Sequence, residues 1–147
     1  MQHTKLQELK TKLMEEAKLV QQMLNLALIQ DNSENGFDKV QSLEEQVNTL
    51  ENEIDRLAIS LIALHQPEAG DLRRILMMYR INVDLERLGD QAYNIAESAR
   101  NIAAYQITEP HIFQMQEATV NMLECSIKAF VDEDVEAAAG VCLNDTW

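Results

Sequence analysis

At 147 residues the chain is the size of one domain, and with 46% apolar residues it has the material for a packed core, which excludes wholesale disorder. Its 25 acidic residues against 12 basic ones leave a formal charge of −13. A duplex with about one negative charge per ~1.7 Å is therefore repelled rather than bound, and an anionic membrane or free phosphate is held only through an intervening cation.

Met1 to Ala17 carry Lys5, Glu8, Lys10, Lys12, Glu15 and Glu16 and so lack the apolar core of a signal peptide. The densest apolar run, Leu57 to Leu64, is far shorter than the ~20 residues of a membrane helix. A cytoplasmic protein with no nucleic-acid partner and no membrane insertion is expected. Four glycines and two prolines punctuate the chain, leaving long uninterrupted segments that read as all-helical.

The first segment runs from about Thr4 to Gln30 with Leu6, Leu9, Leu13, Ala17, Val20, Leu24, Ala27 and Leu28 as its apolar stripe. Asp31 to Gly36 form a turn. The second, about Phe37 to His65, carries Val40, Leu43, Val47, Leu50, Ile54, Leu57, Leu61 and Leu64, a heptad-like seam suited to a bundle, and His65 sits favourably at the negative end of the helix dipole. Gln66 to Gly70 turn the chain. A third helix is predicted from Asp71, as N-cap, to about Tyr105 through Met78, Ile81, Leu85, Leu88, Ala92, Ile95, Ala99 and Ile102.

Thr108-Glu109-Pro110 then break the pattern. A fourth helix follows from about His111 to Val131, with Ile112, Met115, Thr119, Met122 and Phe130, and a fifth segment begins after Asp134. Short links between three long helices predict an antiparallel three-helix bundle over 1–107. Residues 108–147 read as the start of a second, truncated repeat, because Met23 to Leu28 align with Met122 to Ile127 and Val47 to Glu51 with Val141 to Asp145. Cys125 and Cys142, if on one straight helix, lie roughly 25 Å apart at ~1.5 Å per residue, too far for a disulfide.

The carboxylates carry what chemistry is visible. Two acids four residues apart on a helix differ by about 40° in direction, so Glu51 with Asp55 and Glu86 with Asp90 can each present oxygens together, the donors that hard or borderline cations prefer. Such spacing occurs four times in the chain, also at Glu34/Asp38 and Asp132/Glu136, so it does not by itself single out a site. Register does more: counted from the turn at 66–70, the two pairs lie at levels within about 8 Å on antiparallel helices. Glu51 and Asp55 fall on the flank of the second helix's stripe, on a line with Glu44 and Asn48. The angular positions leave open whether the two flanks converge, and the alternative is a solvated acidic face paired with Arg56, Arg80 and Arg87. Gly89, between Glu86 and Asp90, either admits an ion or packs closely on another helix.

Other chemistries lack their residues. None of His3, His65 and His111 has a Glu three residues before it, as a ferritin-like di-iron site requires, and the histidines share no spacing for a zinc cage. No nucleophile or oxyanion donor accompanies the acids, so no enzyme is expected.

Glu51-Asn-Glu-Ile-Asp55-Arg-Leu57, Gln66-Pro-Glu-Ala-Gly-Asp-Leu-Arg73, Asp84-Leu-Glu86-Arg-Leu-Gly89-Asp90-Gln-Ala92 and Asn94-Ile-Ala-Glu97, in this order, resemble the PhoU family of phosphate-transport regulators. The resemblance covers the first of that family's two three-helix bundles and the opening of the second; Gln91 stands where the family usually carries His. It implies that Glu51, Asp55, Glu86 and Asp90 bind divalent or trivalent metal ions, of which iron, manganese, zinc and magnesium are candidates. It also implies a regulatory adaptor, often a dimeric homo-oligomer, that couples a phosphate ABC transporter to a sensor histidine kinase. The alternatives are a structural helical interaction module and the PhoU-like cytosolic domain of a sodium/phosphate cotransporter.

Overall fold

The computed structural model describes residues 2–28, 35–101 and 109–145. They form five helices, α1 (Gln2–Leu26), α2 (Asn35–His65), α3 (Ala69–Arg100), α4 (Pro110–Asp132) and α5 (Val135–Asn144), with no strand among the described residues. The expected helical extensions to Gln30 and Tyr105, and Ile102 with them, lie outside the described residues.

Strict three-and-four spacing explains how the first three helices pack. The α1 positions 6, 9, 13, 16, 20 and 23 and Ala27 just past its end are all buried, and the α3 positions 75, 78, 82, 85, 89, 92, 96 and 99 likewise. On α2, Val40, Val47, Ile54, Ala58 and Leu61 complete the core. This is the alternation that drives knobs into holes between helices of a bundle, and each fully buried aliphatic side chain contributes about 1.5–3 kcal/mol. The three helices pack pairwise in an antiparallel bundle. Lys12 of α1 meets Glu53 of α2 at 3.0 Å, and α3 lies against both at Gly89, where a Cβ would stand 3.6 Å from Val20 and from Val47 and 3.8 Å from Met23.

The structure redraws several stripes. On α3, Met78, Leu85, Ala92 and Ala99 are core as expected, but their partners are Asn82, Gly89 and Ala96; Ile81 and Leu88 are half-buried and Ile95 is 44% exposed. The seam crosses the helix one residue further on because that side contacts both neighbours at once. On α4, Ile112 and Met115 are exposed, and the packed line is Gln116, Val120, Leu123, Ile127 and Phe130. Asn35 and Gly36 belong to the first turn of α2 rather than to the preceding turn.

Asp71 is not the N-cap of α3. The cap residue is Glu68, whose carbonyl accepts from Leu72 N–H at 2.8 Å, while Asp71 sits in the first turn, where its charge favours the helix dipole. Gln66 ends α2 with a positive φ of 41°, and Pro67 cannot continue the helix. His65 lies in the last turn of α2.

Two reciprocal contacts seat α4 along α1. Gln116 Nε2 donates to the carbonyls of Leu24 at 2.6 Å and Asn25 at 3.2 Å, near the end of α1. At the other end Lys10 Nζ donates to the Val131 carbonyl at 3.4 Å and lies 5.5 Å from the centre of the Phe130 ring. Glu133, with φ 54°, closes α4, and Asp134 caps α5 by accepting from Ala137 N–H at 3.0 Å. α5 packs on α4. Cys125 and Cys142 therefore lie on different helices, both free and exposed. No helix is long and apolar enough to cross a membrane among the described residues.

Gly89 is thus a close-packing residue. The distances to Val20, Val47 and Met23 are those of ordinary contact, so Gly89→Ala is expected to raise the unfolding free energy of chelator-treated protein by up to about 1 kcal/mol, the helix-propensity gain. Gly89→Leu should lower it by about 1–3 kcal/mol through overpacking. Denaturant titration of the two variants checks both signs.

Candidate functional site

The same spacing that builds the core also places acids in it. On α1, six of the seven seam residues from Leu6 to Ala27 are apolar and the seventh is Glu16, fully buried at 0% exposure. On α2, Glu44 and Glu51 fall on the line Val40, Glu44, Val47, Glu51, Ile54, Ala58, Leu61 and are half-buried. On α3 the polar seam residue is Asn82, at 1% exposure, with Glu86 one turn on and Asp90 a further turn on, both half-buried.

Contacts fix the level at which these meet. Asn82 Nδ2 donates to the Glu51 backbone carbonyl at 3.2 Å. Glu16 lies in the field of both Glu51 and Glu86, and Asp90 lies close enough to Glu86 and to Glu44 for a hydrogen bond to form if one carboxyl of a pair is protonated. Two carboxyl groups can share a hydrogen bond only where one of them carries a proton.

The electrostatics follow from this crowding. Burial pushes the Glu16 carboxyl up from 4.5 to about 8, with the charges of Glu51 and Glu86 adding to it. Glu86 is pushed up to about 7 by its hydrogen bond with Asp90, then by burial and by the charges of Asp90, Glu51 and Glu44. Glu44 is raised by burial first and then by Asp90.

No basic side chain relieves the group. Among the described residues the ion pairs are Lys5–Glu8, Lys12–Glu53 and Arg74–Asp71, and Arg56, Arg80 and Arg87 are exposed without reaching these acids. Neither oxygen of Glu16 has a hydrogen-bond partner, nor does Oδ1 of Asn82. A buried carboxylate in that position is costly unless a proton or a cation neutralises it.

Of the residues singled out by the sequence, Glu51, Glu86 and Asp90 are brought into one electrostatic group on adjoining helices. Asp55 is half-buried one turn further along α2 and contributes to none of the three raised carboxyls. Glu44 takes the place opposite Asp90. Four-residue pairing of acids leaves out Glu16 and Asn82 and gives Glu44 only as a member of the polar line through Glu51; continuing the 6, 9, 13 spacing on α1 by three residues lands on Glu16. No three His, Cys, Asp or Glu side chains among the described residues already stand as a coordination shell. The donors are all oxygen, on Glu arms long enough to turn towards a common point.

Fold and site together define a helical-bundle protein with an acidic layer reaching into its core. The chain belongs to the PhoU family: the family profile called PhoU domain matches residues 13–99, which include every acid of this layer. It is similar to the phosphate-specific transport system accessory protein PhoU homolog of Aquifex aeolicus, 38% identical over 144 residues, which cover 95% of this chain and 65% of that protein. A solved structure of PhoU from Pseudomonas aeruginosa superposes with a TM-score of 0.89 at 25% identity, covering 99% of this chain and 72% of the other. The phosphate transport system regulatory protein PhoU from Streptococcus pneumoniae has the same fold, with a TM-score of 0.87 over 99% of this chain and 70% of that one at 24% identity. The chain spans about half to two thirds of the length of the curated relatives it matches.

The raised carboxyl of Glu16 sets a pH dependence. Between 4.5 and about 8 the unfolded chain releases a proton that the folded chain keeps, so stability is greatest below this window and falls as pH rises through it. In chelator, the melting temperature should drop from pH 5 to pH 8, and Glu16→Gln should remove most of the slope. Glu86 and Glu44, shifted in the same direction, account for the remainder.

Proposed function

We propose that the protein is a regulatory accessory component of phosphate transport, acting through protein–protein contacts rather than catalysis, and that its α2–α3 groove holds metal. Family membership and the transport-accessory and regulatory roles of the relatives support the first part. The partners proposed from the resemblance are a phosphate ABC transporter and a sensor histidine kinase.

The observation that carries the metal reading is the convergence of Glu44, Glu51, Glu86 and Asp90 with no basic partner within ion-pair distance among the described residues. Glu51, Glu86 and Asp90 are the proposed ligands, with Asp55 reached along the same α2 face. An all-oxygen donor set suits magnesium, manganese or iron better than zinc. A metal held there gives a strongly acidic protein a local positive contact for an anionic oxygen.

Residues 108–147 are read as the opening of a second repeat. Ile112, Phe113 and Met115 on α4 and Val135 and Leu143 on α5 are apolar and exposed, which favours a further helical layer over them. The same surface supports the second reading, a helical interaction module without metal.

Elemental analysis of protein purified without chelator, followed by metal titration, separates the two. The metal reading predicts close to one or more equivalents of iron, manganese, zinc or magnesium, and loss of most of it in the Glu51→Gln/Glu86→Gln/Asp90→Asn variant. Less than a tenth of an equivalent, with no uptake on titration, leaves the interaction module.

A further inference from the structure

Glu16 and Asn82 belong to two different helices, yet both occupy seam positions that are otherwise filled by packing side chains, and both are buried at the level of Glu51. Asn82 has already spent its amide N–H on the Glu51 carbonyl. What remains is a set of three buried oxygens, the two of Glu16 and Oδ1 of Asn82, none with a hydrogen-bond partner.

The chemistry of that set is one-sided. All three are lone-pair donors, and the nearest charges that act on Glu16, those of Glu51 and Glu86, are negative as well. An anion is excluded by the sign of the field. A single water has two hydrogens for three acceptors and leaves an ionised Glu16 charged, and a proton on Glu16 removes the charge but can donate to only one of the other two oxygens. A small divalent cation with oxygen preference satisfies every oxygen and neutralises the carboxylate, and it is the ligand class for which carboxylate and carboxamide oxygens are the usual partners.

We propose that Glu16 and Asn82 are ligands of an internal Mn2+- or Mg2+-class site that continues the α2–α3 groove through Glu51 and Glu86 into the bundle, so that α1 takes part in holding metal. This rests on the metal reading of the groove and adds α1 and the core to it. Because the oxygens come from α1 and α3, with Glu51 on α2 beside them, occupancy ties all three helices together, and metal binding is then read out as stability of the bundle.

The test uses the full chain, stripped with chelator and titrated with Mn2+ at pH 7.5. Free Mn2+ is followed by electron paramagnetic resonance and unfolding by thermal melting. Glu16→Met fills the seam with an apolar side chain of similar length, Glu16→Gln keeps the shape without the charge, and Asn82→Leu removes the second donor. Wild type should bind Mn2+ and melt at a higher temperature when loaded. Each variant should fold and bind at least about tenfold more weakly, with most of the metal-induced melting shift lost, and Glu16→Met should melt no lower than wild type without metal.

Equal Mn2+ affinity and an equal melting shift in Glu16→Met, Glu16→Gln and wild type overturn the inference while leaving the groove site of Glu51, Glu86 and Asp90 intact. Absence of Mn2+ uptake by wild type overturns it too, and the elemental analysis described above then judges the groove by itself. Should Glu16→Met not fold, Glu16→Gln alone carries the comparison.

Discussion

The placement of a carboxylate inside the three-helix seam constrains everything around it. Glu16 sits where α1 faces both neighbours, fully enclosed, with the charges of Glu51 and Glu86 facing it. Removing a charge from water costs several kcal/mol even after local relaxation, and among the described residues no arginine or lysine pairs with it. The surrounding apolar seams supply the stability that lets such a residue remain inside. Leu9, Leu13, Val20 and Met23 on α1, Val47 and Ile54 on α2, and Ile75 and Leu85 on α3 enclose the polar level on both sides. A short polar level between long apolar ones is also a register mark. A one-turn slip of α1 against α2 and α3 would remove Glu16 from Asn82 and Glu51 and set it against aliphatic side chains.

The contrast between Glu16 and the outer acids shows how position sets role. Glu44, Glu86 and Asp90 crowd one another at the edge of the α2–α3 groove, where they remain partly solvated. Lys12 and Glu53, nearby in sequence terms but on exposed faces, simply pair at 3.0 Å. Identical side-chain chemistry therefore gives a surface ion pair in one place and an unresolved cluster in another. What differs is the availability of a cation and of water.

Much of the architecture is legible from the chain alone. The breakers at Gln66-Pro67 and Glu109-Pro110 delimit α2, α3 and α4 to within a few residues, and the heptad-like lines of α1 and α2 identify most of the core. The differences share one cause: a stripe drawn through large apolar residues takes Ile81, Leu88 and Ile95 in place of Asn82, Gly89 and Ala96, and on α1 it takes Ala17, which is buried, but leaves out the equally buried Glu16 beside it. Helix packing selects by angle and by room for close approach, and a glycine or alanine on the correct line is more central than an isoleucine beside it. The candidate site suffered in the same way. Glu51, Glu86 and Asp90 were visible as spaced acids, whereas Glu44 and Glu16 become conspicuous only when the seam is followed position by position, and no single-helix pattern records that Asn82 bonds across to the Glu51 carbonyl.

The seating of α4 gives α1 a second set of obligations. Gln116 grips the carbonyls at the far end of α1, and Lys10 reaches the final turn of α4. The helix that carries Glu16 into the bundle is thus also the rail along which α4 is clamped at two points more than half its length apart. Both contacts oppose a displacement of α1 along its axis relative to α4, the helix that also bears the exposed Ile112, Phe113 and Met115. One rod couples the interior charge to the outer apolar surface, which places an internal chemical state and an external contact face on a common lever.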